Sequence, residues 1–167
     1  FASRLNMNLR EKHGFTYGAR SGFSFNKQAG PFVAQAGVTT SKTDSSVREF
    51  YYEIDRTFKD GVTADDLEFV KKGMTGNFAL TFETPSQIAG AMQNIVLYNL
   101  PDNYYETYLQ NINTISLDDV QKASRKYLDS SKMALVIVGD LKVVKEGLEK
   151  MNLGETVVCD VNGNKVQ

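Results

Sequence analysis

An α+β fold is predicted for this chain: a mostly antiparallel sheet covered by helices on one face. Three observations predict it. Two extended runs between residues 15 and 40 flank a stretch of turn-forming residues. A succession of capped helical patterns follows, from Val47 to Tyr127. A continuous apolar run, Met133 to Val138, then precedes one last helical pattern.

The chain opens on the end of a helix. Leu5 and Leu9 share one face, and Phe1 extends that face one turn back. Lys12 and His13 fall in the last turn, where positive charge suits the helix dipole, and Gly14 supplies the left-handed residue that closes a helix. From Phe15 the pattern becomes extended. Asn26-Lys27-Gln28-Ala29-Gly30-Pro31 carries the turn chemistry between two strands, which predicts an antiparallel hairpin. Regular alternation puts Tyr17 on one face with Ala19, Ser21, Phe23 and Phe25, and groups Phe32, Ala34, Ala36 and Val38 on the second strand.

Helices fill the middle. Val47, Phe50, Tyr51, Ile54 and Phe58 form an apolar stripe that ends at Gly61. Thr63-Ala64-Asp65-Asp66 is a capping box with Asp in place of Glu, opening a helix whose core face is Leu67, Val70, Met74 and Phe78. Thr84-Pro85 starts the next, with Ile88, Ala91, Met92 and Ile95 inward. Leu100-Pro101-Asp102 breaks the chain before a tyrosine-rich helix holding Tyr104, Tyr105 and Tyr108. Ser116 caps a helix with Val120, Ala123 and Tyr127 on its inner face. The β-branched run Met133 to Val138, closed by Gly139-Asp140, is expected to be an interior strand buried on both faces. Leu141, Val144, Leu148 and Met151 mark the last helix; residues 154–167 read as a late strand with a turn at Asn162-Gly163, or as a loose tail. The expectation is a single domain over residues 1–167. A helical pattern beginning at Phe1 without a cap suggests a fragment of a longer protein.

The stretch Ser3-Arg4-Leu5-Asn6-Met7-Asn8-Leu9-Arg10-Glu11-Lys12-His13-Gly14-Phe15-Thr16-Tyr17-Gly18 carries a further signal. Its order of S-R-L, L-R-E and Gly-aromatic-x-Tyr closely resembles the opening of the second, non-catalytic half of pitrilysin/insulinase-like zinc peptidases, the inverzincin family. The V-I-V-G-D run near residue 138 resembles the strand closing those halves. What the resemblance implies is specific. An Arg and a Tyr seven residues apart reach from the non-catalytic half into the active site of the catalytic half and bind the peptide backbone; the matching positions here are Arg10 and Tyr17. It also implies a strand and part of a helix before Phe1, and partners in the form of a zinc-binding catalytic half, upstream or on a separate subunit, and a peptide substrate.

Composition narrows the alternatives. Net charge is −1, so no electrostatic footprint for nucleic acid is present. No apolar run approaches the roughly 18 residues that span a bilayer, so a soluble protein is expected, with periplasm and cytoplasm both open. The single Cys159 excludes an internal disulfide. A catalytic zinc site takes about three protein ligands, yet the chain has one histidine, His13, and no H-x-x-E-H. The expectation is therefore no catalytic residue, no metal ligand and no cofactor of its own, with zinc in the partner half. G-x-x-x-x-G-K-[ST] and G-x-S-x-G are absent, which removes the phosphate-loop and nucleophile-elbow chemistries. Three readings remain: a substrate-binding half of a zinc endopeptidase, a scaffold homologue without proteolysis, and an independent interaction module. In the plainest account of the two residues, Arg10 pairs with an acidic neighbour and Tyr17 packs in the sheet.

Overall fold

The computed structural model describes residues 2–166, so Phe1 lies outside the described residues. The chain is α+β. Ser3 caps α1 (Arg4–Asn6) by accepting the Asn6 N–H, and the helix runs on as a wider π-helical segment, Met7–Lys12. Strands β1 (Thr16–Phe23) and β2 (Phe32–Val38) pair as an antiparallel hairpin. There follow α2 (Thr43–Asp60), α3 (Ala64–Phe78), α4 (Pro85–Tyr98), α5 (Tyr104–Thr114), α6 (Leu117–Tyr127) and α7 (Leu141–Glu149).

Two compact units share this chain. One gathers the residues up to Ser21, Ala34–Glu53 and Met133 onward; the other gathers Gly22–Val33 and Ile54–Lys132. In the first, Leu5, Leu9 and Ala19 form a buried cluster against which Ala34, Ala36 and Phe50 pack. One face of the hairpin is thereby covered by helical residues, as a two-stranded sheet with one apolar face requires. In the second, aromatic rings hold the helices. Phe78 stacks on Tyr108 with centroids 4.8 Å apart, and Phe82 meets Tyr105 edge-on at 5.2 Å. Burial pushes the Tyr108 phenol up from its ordinary pKa, helped by Tyr104 and Tyr105.

The helix signals act as read. Thr63, Thr84 and Ser116 each accept the N–H three residues on, while Asp66, Gln87 and Asp119 answer back to the cap N–H. Asn99 takes a left-handed conformation (φ 51°) and lets Leu100 donate to the Ile95 carbonyl, ending α4 before Pro101. Gly61 has φ +75°, and a side chain there would run into Gln121. The Ser116 hydroxyl, then its backbone N–H, hold the Asp119 carboxyl below the usual carboxylate range, and Lys122 adds to this. A lowered native value means the cap is complete above the ordinary aspartate pKa and is lost as pH falls through the lowered one. In an NMR titration Asp119 is expected to protonate below a typical aspartate, and Ser116→Ala is expected to move that titration upward; an unmoved titration would contradict the cap.

Three sequence expectations are corrected. Met133–Val138 forms neither helix nor strand and belongs to no ladder, and Val138 is 97% exposed. Apolar β-branched sequence reports a preference for burial, whereas a strand also needs a neighbour for its N–H and C=O groups. Among the described residues the sheet stops at two strands, and the Ala19 N–H of β1 is taken by the Asn6 side chain rather than by another strand. On α3, Val70 and Met74 are exposed, and on α4 so are Ile88 and Met92, with only Ala91 buried. Apolar residues lie on more than one face of these helices, and the ring cluster at Phe78 decides which side of α3 turns in. The stripe on α2 is buried at Val47 and half-buried elsewhere, because the positions sealed beside it belong to Ser46 and Glu53. Residues 158–166 close a short antiparallel bridge, Cys159 with Lys165, around a turn tied by Asp160.

Candidate functional site

The candidate site sits where the π-helical segment meets β1. Its last turn is wider than an α-helix: His13 N–H donates to the Asn8 carbonyl (3.1 Å) and Phe15 N–H to the Leu9 carbonyl (2.9 Å). Gly14 N–H donates to the Arg10 carbonyl at 3.0 Å, and Gly14 has φ +63°, which turns the chain into the strand. Leu9 is 0% exposed, so Arg10 follows a fully anchored residue. Arg10 itself is partly exposed, with Nε 3.4 Å from the Glu11 carboxylate. This is the acidic neighbour expected of a helix-end arginine, and such an exposed pair contributes about 0–1 kcal/mol.

Tyr17 departs from simple strand alternation. It is 99% exposed although Ala19, two residues on, is 4% exposed. The hairpin hydrogen bonds explain this. Thr39 N–H donates to Phe15 O at one end and Ser24 N–H to Pro31 O at the other. Phe15 to Ser24 spans nine steps, while Pro31 to Thr39 spans eight, so β1 holds one extra residue. Such a bulge puts two residues opposite one and re-aims a side chain. Thr16 and Ala19, three apart, are both buried, which locates the extra residue at Tyr17-Gly18. The phenol stands outside the sheet.

Beneath the corner lies a buried polar cluster absent from the sequence reading. Asn8 Nδ2 donates to Glu49 Oε2 and Glu53 Oε1, both at 2.8 Å, and Glu53 is 5% exposed. His13 stacks on Phe15 with centroids 4.9 Å apart, and its Nε2 lies 3.9 Å from the Glu49 carboxylate. The available signal was a glutamate at helical spacing from Phe50 and two asparagines inside the Leu5–Leu9 face. Among the described residues no group of three or more His, Cys, Asp or Glu is placed to hold a metal ion. His13, the sole histidine, is engaged by Phe15 and Glu49 and does not fit a zinc site.

A second concavity lies wholly within the other unit. It encloses about 830 Å³ between the hairpin tip, with Phe23, Phe25 and Phe32, and the α6 residues Val120, Ala123 and Tyr127. Asp119, the carboxylate on its wall, is committed to the α6 cap. No helix among the described residues is long and apolar enough to cross a membrane.

Residues 1–74 match the family model described as the peptidase M16 inactive domain. A crystal structure of a peptidase M16 inactive domain from Pseudomonas fluorescens is 26% identical, with a TM-score of 0.71 over 77% of this chain and 31% of that one. A protease from Helicobacter pylori shares the fold, with a TM-score of 0.66 at 19% identity over the same shares. The non-peptidase homolog YmxG of Helicobacter pylori is 25% identical over 145 residues, 85% of this chain and 33% of that protein. The chain thus spans about a third of the length of these relatives.

Proposed function

We propose that this chain is the substrate-binding, non-catalytic half of a zinc endopeptidase, acting with a catalytic half on the same chain or on another subunit. The observation that carries the reading is the outward phenol of Tyr17, one tight turn after Arg10, inside a sixteen-residue stretch of family sequence. An exposed phenol on a bulged strand has a hydroxyl ready to donate to a peptide carbonyl oxygen, and it is strongest where negative charge develops on that oxygen. Arg10 holds backbone carbonyls of an extended peptide or orients the phenol. Metal chemistry is left to the other half, since no group of His, Cys, Asp or Glu among the described residues is placed to hold a metal ion.

The test uses the full assembly with its catalytic half. Arg10→Ala and Tyr17→Phe are expected to lower peptide turnover while zinc content and folding stay unchanged; wild-type turnover in both removes the proposed role. A second reading, a scaffold without proteolysis, is favoured by the description of YmxG as a non-peptidase homolog. An assembly that contains zinc and H-x-x-E-H yet cleaves no peptide would support it.

A further inference from the structure

We propose that Thr16 is a positioning residue for Tyr17: its side chain closes the bulge that turns the phenol outward. This rests on the substrate-binding reading for its consequence, though its geometry stands apart from it. An extra residue in one strand leaves backbone groups without their ladder partners. Thr16 bridges the two strands at this point. Its Oγ1 lies 2.7 Å from the Gly37 carbonyl oxygen, across the hairpin, and accepts the Gly18 N–H at 3.0 Å. Gly18 O is also 3.0 Å away, but the hydroxyl carries one proton, and the shorter contact to Gly37 claims it. The same oxygen therefore ties the residue after Tyr17 to the opposite strand.

The bulge is pinned from the helix side as well. Ala19 N–H donates to Asn6 Oδ1 at 3.0 Å, in a buried contact. Thr16 and Asn6 thus hold the backbone on either side of the tyrosine, and Tyr17 has no regular strand position to relax into. Without the Thr16 hydroxyl, Gly18 N–H loses this acceptor and the Gly37 carbonyl loses this cross-strand donor. The strand then gains by sliding into plain alternation, which carries the phenol toward the face of Ala19.

The experiment compares Thr16→Val, Thr16→Ser, Tyr17→Phe and the double variant Thr16→Val/Tyr17→Phe in the full assembly. Valine keeps the branched shape and removes the hydrogen bonds; serine keeps the hydroxyl. Thr16→Val is expected to lower kcat about tenfold or more with KM within about twofold, and Thr16→Ser to stay near wild type. The double variant is expected to turn over no more slowly than Tyr17→Phe alone, because the two changes disable one device. Equal losses from Thr16→Val with and without Tyr17 would overturn the proposal, as would wild-type kcat in Thr16→Val beside a slow Tyr17→Phe. A wild-type Tyr17→Phe sinks the substrate-binding reading instead.

The geometry is read separately by amide hydrogen exchange. The Gly18 amide is expected to be protected in the wild type, and to exchange at least about tenfold faster in Thr16→Val than in Thr16→Ser. An unprotected wild-type Gly18 amide overturns the proposal even if Thr16→Val does not fold.

Discussion

Tyr17→Phe is expected, on the substrate-binding role proposed above, to lower peptide turnover by the full assembly by about 10²–10³-fold, the usual cost of removing one donor aimed at developing oxyanion charge. That corresponds to about 3–4 kcal/mol in the barrier. The substitution deletes a hydroxyl and nothing else, and the ring is 99% exposed, so no packing is lost. Stability should change by less than about 0.5 kcal/mol, as for other exposed positions. A fall in kcat at constant melting temperature and constant zinc content is the expected pattern. A fall that tracked unfolding would point to a structural tyrosine, which its exposure argues against.

Leu9→Ala is expected to be the most damaging single change to stability in the helix-to-strand corner. Leu9 is fully buried, in contact with the cluster of Leu5, Ala19, Ala34, Ala36 and Phe50. Truncation removes buried methyl groups and leaves a cavity beside a rigid hairpin, at a cost of about 3 kcal/mol. Chemical denaturation of the wild type and the variant measures it directly. Because Leu9 precedes Arg10 and its carbonyl accepts the Phe15 N–H, the loss also loosens the corner that carries both candidate residues. Activity should therefore fall with stability here, unlike in Tyr17→Phe. A stability change under about 1 kcal/mol would mean that the cluster collapses around the smaller side chain.

Local chemistry in the sequence was the more legible part. Thr63, Thr84 and Ser116 are caps because a side-chain oxygen three residues before an orphan N–H is a short-range fact, and all three are found. Gly14 takes the left-handed conformation that closes its helix. The hairpin follows from its turn residues, and the even burial of Phe32, Ala34, Ala36 and Val38 follows from alternation.

Long-range decisions were not legible. Met133–Val138 has the composition of an interior strand, but pairing depends on what lies beside it. The exposure of Val70, Met74, Ile88 and Met92 is likewise set by neighbours rather than by their own helices. At the site, alternation assigned Tyr17 the face of Ala19, and a single inserted residue in β1 reversed it. Nothing in the alternating pattern marks that insertion; the nearby Thr16 and Gly18 mark it only once the Gly37 carbonyl is known to lie opposite. The role of Glu53 is not legible in the sequence, because a lone carboxylate on an apolar stripe has no visible partner until the fold brings Asn8 to it.

The way the chain is shared between its two compact units has a practical outcome for dissection. Reading from the start, the backbone leaves the first unit after Ser21, returns at Ala34, leaves again after Glu53 and comes back at Met133. No single cut therefore yields either unit as one uninterrupted polypeptide. A ribosome must have passed residue 132 before the first unit has all its parts, and an expression clone ending there would lack α7 and everything else that unit draws from beyond Lys132.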